Sequence, residues 1–361
     1  MRENLKYFKN SLLVTGLALA LAAALGFFYD RTILGALRFV FVASVLSVLE
    51  ISLSFDNAVV NAKVLRNMTP VWRHRFLTWG IAIAVFGMRL VFPLLIVGVV
   101  ARLGPIEALR LAALEPVEYA RILTGAHVVI AGFGGAFLAM VALKYFFDVE
   151  KDVHWIHALE SPLTRIGRME AVELGVVMVG LYFISRYLPA GERAGFLVAG
   201  IFGLVTYIVV DGISSLMEVG EETVASAHKA SAAMFLYLEV LDASFSFDGV
   251  IGAFALTNNL FIIAIGLGTG AMFVRSLTIM LVDQGTLQTY RYLEHGAFYA
   301  IGALAVIMFL GTFRHIPEVV TGFIGAGFIA LSLWSSIRRN RLGPTARAEP
   351  SGGGTGNPQE R

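Results

Sequence analysis

Residues 50–62 read EISLSFDNAVVNA, and residues 242–253 read DASFSFDGVIGA. Aligned without a gap, the two segments match Glu50 with Asp242 and Phe55-Asp56 with Phe247-Asp248. Two serines of the first segment also align with two serines of the second. The segments that follow continue the match, because residues 86–95 (FGMRLVFPLL) resemble residues 272–281 (MFVRSLTIML). Self-similarity of this kind predicts two structurally related halves.

The composition is typical of a membrane protein. Of the 361 residues, 57% are hydrophobic and 15% are charged, and the mean hydropathy is +0.75. Soluble domains carry about 25% charged residues. The net charge of +2 is too small to indicate nucleic-acid binding, so we expect membrane lipid and no nucleic acid around the chain. The absence of cysteine excludes disulfides and thiolate metal sites.

Apolar runs near the length of a transmembrane helix, roughly 20 residues, recur along the chain. They predict an all-α polytopic membrane protein with about ten transmembrane helices and an inverted structural repeat. The predicted spans are 11–28, 34–60, 77–101, 122–147, 171–188, 194–212, 231–256, 260–282, 297–313 and 317–336.

The lysine and arginine residues indicate the orientation. With a cytoplasmic N-terminus, the inside segments hold most of these residues, as short cytoplasmic loops do. We therefore expect an even number of spans in the cell inner membrane, with both termini cytoplasmic. The first motif then runs from outside to inside and the second from inside to outside. In many secondary transporters, inverted repeats place the substrate site between the halves near the bilayer midplane.

The repeat and the polar segments divide the chain into five regions. These are an N-terminal anchor helix (1–33), a first repeat half (34–147), a cytoplasmic loop with connecting helices (148–230), a second repeat half with the last helix (231–342) and a tail (343–361). The tail is rich in glycine and proline, which predicts a disordered cytoplasmic segment.

Five acidic side chains lie inside apolar runs: Glu50, Asp56, Glu239, Asp242 and Asp248. An acid at a helix centre costs on the order of 2.5–3.5 kcal/mol on insertion scales, so such a cluster predicts partners or a function. Arg89 and Arg275 also lie inside apolar segments, and ion pairing that only holds the bundle together is one alternative. Two arginines cannot neutralise five carboxylates, however, and buried ion pairs stabilise weakly. The excess negative charge favours a cation site.

Helical periodicity separates the acids into two groups. At about 100° per residue, Glu50 and Asn57 share one face, and Glu239 and Asp242 share one face in the second motif. The last acid of each motif, Asp56 or Asp248, points about 120° away from that face in an unbroken helix. We therefore predict local unwinding at Ser-Phe-Asp-Asn and Ser-Phe-Asp-Gly, because broken helices expose backbone carbonyls that can join carboxylates as ligands.

The available donor atoms are hard ligands. Carboxylate, amide, hydroxyl and carbonyl oxygens without thiolates suit Mn²⁺, Ca²⁺ or Mg²⁺. We expect this ion to be transported or bound, and we expect no organic cofactor. His127 is a weaker candidate ligand that would favour Mn²⁺ over Ca²⁺. Lys144 is expected to extend to the membrane interface or to balance the acids.

At three segments the chain resembles the TerC family of integral membrane proteins, which is similar to the wider LysE-type exporter superfamily. The resemblance lies in LEISLSFDN (49–57), GGAFLAMVALKYF (134–146) and LEVLDASFSFDG (238–249), and it covers most of residues 34–313. It implies export of divalent metal, chiefly manganese, from the bacterial cytoplasm and a link to tellurium resistance.

The resemblance also assigns the metal-handling residues: Glu50, Asp56, Asn57, Glu239, Asp242 and Asp248. Gly249 departs from the family pattern, in which a small polar residue is common at this position. Because Gly249 has no side-chain oxygen, we expect an asymmetric site.

The leading hypothesis is a secondary exporter of divalent cations, chiefly Mn²⁺, that exchanges protons or sodium ions. The chain has no GxxxxGK[ST] motif for ATP use, and crowded carboxylates bind protons and metal in competition. One alternative is a membrane scaffold in the metal or tellurite stress response, with a structural metal site.

A second alternative is an intramembrane enzyme in which Asp56 and Asp248 form an aspartyl dyad. No HExxH, GxSxG or GxGD motif accompanies these two residues. The other three acids would be superfluous in such an enzyme. We therefore expect a transporter and not an enzyme.

Overall fold

The computed structural model describes residues 5–80, 82–167, 169, 171–218, 224–314 and 316–341, with the side chains of 77, 213–218, 224–226, 247, 248 and 318 outside the description. Every regular element in these ranges is helical. The predicted all-α class is therefore confirmed. The predicted tail at 343–361 lies outside the described residues.

The α-helices are numbered in chain order. They are α1 (Leu5–Asp30), α2 (Ile33–Leu53), α3 (Phe55–Arg66), α4 (Pro70–Arg75), α5 (Phe92–Ala101), α6 (Pro105–Leu114), α7 (Pro116–Gly125), α8 (His127–Phe147), α9 (His157–Ile166), α10 (Val172–Tyr187), α11 (Ala190–Glu218), α12 (Val224–Ala253), α13 (Leu260–Asp283), α14 (Thr286–Thr289), α15 (Leu293–Gly311) and α16 (Glu318–Arg341). Two π-helical segments, π1 (Phe76–Gly80) and π2 (Ile83–Val91), lie between α4 and α5.

In the described part of the chain, 8 helical segments are long and apolar enough to cross a membrane. They are α1, α2, the run from Pro70 to Ala101, α8, the first part of α11, α13, α15 and most of α16. The predicted spans at 171–188 and 231–256 correspond to α10, which has only 16 residues, and to the acid-bearing helix α12. The chain is thus a multi-pass membrane protein, and the inverted repeat stays a prediction.

Two predicted spans are divided in the structure. The span 34–60 breaks at Ser54, and the span 122–147 breaks at Ala126. At the second break the N–H of Ala126 donates to Leu123 O at 3.1 Å, which closes a tight turn instead of continuing the α-helix. The residues stay apolar across this turn, so hydropathy alone does not reveal it.

The distribution of polar and apolar side chains is the reverse of that in a soluble protein. Large apolar side chains face outward, among them Leu34 at 76% exposure and Leu17 at 64%, whereas Glu50 is 2% exposed. A water-soluble fold exposes its acids and rarely shows contiguous apolar surface. This distribution fits a bundle that is surrounded by lipid.

Helix α13 packs closely on α2 because its contact face is made of glycine. A Cβ added at Gly266 would lie 2.6 Å from Leu46 Cβ, and one added at Gly270 would lie 2.5 Å from Glu50 Cβ. Ser47 Oγ donates to Gly266 O at 2.9 Å across the same contact. Small residues four apart allow this approach between membrane helices. The contact fixes the stem of Glu50 inside the bundle.

Candidate cation site

The first motif is a broken helix. Ser54 (φ −105°, ψ 20°) separates α2 from α3, while its N–H still donates to Glu50 O at 3.0 Å. Such a break leaves the last carbonyls of α2 and the first N–H groups of α3 without helical partners. Asp56 satisfies one of them, because its Oδ1 accepts the N–H of Asn57 at 3.0 Å. The predicted unwinding is confirmed here, and it is confined to one residue.

The second motif lies in an unbroken helix, so the unwinding predicted there is wrong. Helix α12 continues through Ser246 and Gly249 to Ala253. In the first motif, Ser54 Oγ donates to Glu50 Oε1 at 3.2 Å and supports the break. The equivalent Ser246 Oγ has no hydrogen-bond partner among the described residues. Nothing in the described contacts therefore compensates the backbone bonds that a second break would lose.

One predicted site residue of the second motif is only partly visible. The backbone of Asp248 belongs to α12, but its side chain lies outside the described residues. Its role in metal binding stays a prediction.

The two motifs face each other in antiparallel orientation. Asn57 Nδ2 donates to Asp242 Oδ1 at 2.8 Å. A Cβ added at Gly249 would lie 3.4 Å from Glu50 Oε2. Residue numbers therefore rise along the first motif while they fall along α12. The two motifs run in opposite directions at their contact, which is the orientation that the distribution of basic residues predicts.

Arg89 connects the acids of both motifs. Its Nη2 forms an ion pair with Glu50 Oε1, and its Nη1 lies 3.5 Å from Asp242 Oδ2. The same Nη1 donates to Ala84 O at 2.5 Å within π2. Arg89 and Glu50 are each 2% exposed and Asp242 is 5% exposed. The planar guanidinium suits this position because it presents several donors in different directions.

Arg275 engages the remaining acid more loosely. Its Nη1 and Nη2 donate to the carbonyls of Phe76 and Gly80, at 3.2 and 2.8 Å. Its Nη2 lies 3.6 Å from Glu239 Oε1, and both carboxylate oxygens of Glu239 are buried without a hydrogen bond in the described part of the chain. Both arginines thus bind carbonyls of π-helical segments, which are frequent at functional sites.

Several buried side-chain oxygens of α3 and α12 have no hydrogen-bond partner among the described residues. They are Asn57 Oδ1, Asn61 Oδ1, Glu239 Oε1 and Oε2, Asp242 Oδ2 and Ser246 Oγ. Buried polar atoms are nearly always paired in proteins, so a group of oxygens without hydrogen bonds favours binding of a donor or a cation. The sequence prediction missed Asn61, although it follows Asn57 by four residues and therefore shares its helix face.

The acids do not form a finished metal centre. Within the described residues, no three His, Asp or Glu side chains are arranged to hold a metal ion. The structure brings Glu50, Asn57 and Asp242 together around Arg89, and it places Glu239 beside Arg275. Asp56 is 5% exposed and forms no ion pair with another described residue. Three carboxylates, those of Glu50, Asp242 and Glu239, contact two guanidinium groups, so these five groups carry a net charge of −1 when all of them are ionised.

The two weaker candidates from the sequence lie elsewhere. Lys144 Nζ is 3.6 Å from Glu173 Oε1, and its side chain is 55% exposed. His127 begins α8, where a Cβ added at Gly311 of α15 would lie 3.3 Å from its Cε1. In the described contacts Lys144 therefore pairs with an acid of α10 and not with an acid of either motif.

Comparisons with other proteins agree with the membrane assignment. Residues 55–343 match a sequence family described as "Protein of unknown function (DUF475)". The chain is also similar to an uncharacterized membrane protein of Myxococcus xanthus, STKORF319. The two are 23% identical over 312 residues, which cover 83% of this chain and 74% of that protein. No solved structure matches the chain.

Proposed function

The chain belongs to the DUF475 family, and we propose that it exports divalent metal cations, chiefly Mn²⁺, across the inner membrane by a secondary mechanism. The observation that carries this proposal is the buried contact between the two antiparallel acidic motifs, from Asn57 to Asp242. Secondary transporters bind substrate at such a junction of oppositely oriented helices, where interrupted helices offer free backbone groups. Both termini are cytoplasmic in this proposal.

The substrate class follows from the atoms at the contact. Glu50, Asn57 and Asp242 offer carboxylate and amide oxygens, and the broken end of α2 offers carbonyls, so the donors suit Mn²⁺, Ca²⁺ or Mg²⁺. The resemblance of residues 49–57 and 238–249 to the TerC family supports Mn²⁺ within this class and supports export. That resemblance also supports a role in tellurium resistance.

The remaining predicted site residues complete the proposal. Further negative charge along the proposed route of the cation comes from Asp56, Glu239 and Asp248. Crowded carboxylates that exchange metal for protons or sodium provide a coupling route without ATP. In this scheme the protein is a transporter and not an enzyme.

Reconstitution into liposomes tests the proposal. Vesicles that contain a metal-sensitive dye are exposed to Mn²⁺, Ca²⁺, Mg²⁺ or Zn²⁺ under imposed pH or sodium gradients. We expect Mn²⁺ flux by the wild type and loss of at least about nine-tenths of it in Asp242→Asn, because Asp242 contacts Asn57 and lies beside Arg89. Asp56→Asn is expected to be impaired as well.

A matched control removes an acid outside the site. Glu118→Gln neutralises an exposed carboxylate that pairs with Arg121, and we expect wild-type flux from it. Absence of flux for all four metals under every gradient would exclude metal transport. Full flux in both Asp242→Asn and Asp56→Asn would exclude this site.

A further inference from the structure

Arg89 occupies the position between the motifs in which the proposed substrate would be expected. Its guanidinium forms an ion pair with Glu50 of the first motif and lies 3.5 Å from Asp242 of the second. Asn57 Oδ1 and Asp242 Oδ2 at the same contact have no hydrogen-bond partner among the described residues. A positive charge is therefore already present between two carboxylates that a divalent cation would need.

Arg275 shows that a buried arginine in this fold does not have to bridge carboxylates. Its guanidinium donates to the carbonyls of Phe76 and Gly80, and it leaves both oxygens of Glu239 without a hydrogen bond. Arg89 also has a carbonyl acceptor, Ala84 O in π2. Arg89 thus has an acceptor on its own segment that is not a carboxylate, bound by the same Nη1 that lies beside Asp242.

We propose that Arg89 is an internal competing cation, which the substrate displaces from Glu50 and Asp242. The inference rests on the proposed function and adds the residue that sets affinity and charge selectivity at that site. In the substrate-free protein the guanidinium compensates one of the two negative charges of these carboxylates. When a divalent cation binds between them, the guanidinium retains its bond to Ala84 O and gives up its acidic partners.

Two physical consequences follow from this exchange. A divalent ion provides twice the charge of the guanidinium that it replaces, so it can displace Arg89. A monovalent ion has the same charge as the guanidinium and therefore has no electrostatic advantage over it. The competition also weakens metal binding, and transported ions must bind weakly enough to leave. After release, Arg89 returns to Glu50 and Asp242, so that the two buried acids are not left without a positive partner.

The test measures Mn²⁺ binding to the purified full-length protein by isothermal titration calorimetry. We expect Arg89→Gln to lower the Kd for Mn²⁺ by at least about tenfold, because the competitor is gone. Arg89→Lys keeps the charge but loses the fork of donors, so we expect its Kd to fall by about threefold. Arg121→Gln removes an exposed arginine of an ion pair and should leave the Kd within about twofold of the wild type.

The direction of the change separates competition from a structural role. An arginine that only positions the acids would give an unchanged or higher Kd when it is replaced, and that result in folded protein overturns the inference. Thermal unfolding establishes that each variant is folded. If Arg89→Gln does not fold, Arg89→Lys decides, and an unchanged or higher Kd in that variant overturns the inference.

The proposed function can fail separately. Mn²⁺ transport by the wild type together with an unchanged Kd in both Arg89 variants preserves transport and rejects the competitor. Mn²⁺ binding to Arg89→Gln but not to the wild type, without transport by either, preserves the competitor and rejects transport. Absence of binding to all of these proteins rejects both.

Discussion

The first motif, at the junction of α2 and α3, and the second motif, within α12, contain nearly the same residues but differ in their surroundings. Glu50 in the first motif accepts from Ser54 and pairs with Arg89, and its stem packs against Gly270. Glu239, in the same helix as the second motif, has no hydrogen bond in the described part of the chain. These two acids therefore differ, because Glu50 is held by a hydrogen bond, an ion pair and close packing, whereas Glu239 has only its 3.6 Å ion pair with Arg275.

This difference indicates a division of roles. Hydrogen bonds and close packing hold the first motif in one geometry, and its break presents free backbone groups. Helix α12, which contains the second motif, is continuous, and buried oxygens of Glu239, Asp242 and Ser246 have no hydrogen bond in the described part of the chain. Unsatisfied buried groups raise the free energy of this arrangement, so we expect the second motif to gain more from a bound cation or proton.

The largest expected difference between the motifs is in the stability of two acid variants. We expect Glu50→Gln to lower the free energy of unfolding by about 3–5 kcal/mol, because it breaks a buried ion pair and leaves Arg89 without its closest acid. Glu239→Gln should lower it by less, because Glu239 has no hydrogen bond to lose and its longer ion pair leaves Arg275 with two carbonyl acceptors. Steric trapping in bicelles measures both values. Equal losses would contradict the contrast between a clamped and an unclamped motif.

The next effect compares two polar side chains at the motif contact. Asn57→Ala removes the donor to Asp242, and we expect a loss of about 1.5–3 kcal/mol in the free energy of unfolding, the range for hydrogen bonds to charged groups. Ser246→Ala should be neutral because its hydroxyl has no partner in the described part of the chain. The same unfolding measurement applies to both. A comparable loss in Ser246→Ala would show that the second motif is as firmly held as the first.

A smaller effect is expected from the glycine that packs on Glu50. Gly270→Ala would place a Cβ 2.8 Å from the backbone of Ser47, so we expect a loss of about 1–3 kcal/mol from overpacking. Gly180→Ala is the control, because its Cβ would meet nothing within 4 Å, and it should stabilise α10 by up to about 1 kcal/mol. Thermal unfolding in detergent compares the two variants. A stable Gly270→Ala protein would mean that α13 does not clamp the first motif.

The smallest effect concerns Gly249, which stands where the first motif has Asn57. A Cβ at Gly249 would be in ordinary contact with Glu50 Oε2, at 3.4 Å, so Gly249→Ala should stabilise the helix by roughly 0.5–1 kcal/mol. Thermal unfolding measures this gain, and Gly180→Ala again provides the reference. A marked destabilisation would show that the space beside Glu50 cannot accept even a methyl group.

The sequence predicted much of this arrangement, for reasons that are local. Apolar length and the position of basic residues predict a multi-pass helical protein. The repeat identified Glu50, Asn57 and Asp242, three residues that the structure brings to one contact. Asn61 was missed because it lies among apolar residues, although it follows Asn57 by four residues and therefore shares its helix face.

Other features depend on contacts between distant parts of the chain. The first motif breaks and the second does not, although both contain Ser-Phe-Asp, because only Ser54 finds an acceptor in Glu50 among the described residues. The turn at Ala126 lies in an apolar run that hydropathy reads as one span. These differences follow from packing and hydrogen bonding, which residue types in order do not specify.

By itself, the sequence determined that this protein lies in a membrane, that its described part is helical and that its acids fall into two related motifs. Those properties follow from the transfer free energy of each residue and from helical periodicity. Only the tertiary structure decided which carboxylates meet, because Arg89 can pair with Glu50 and Asp242 only where π2, α2 and α12 come together. It also decided that Glu50 is held by Ser54 and Arg89 while Glu239 has no hydrogen bond in the described part of the chain, since each buried polar atom depends on the neighbours that the fold provides.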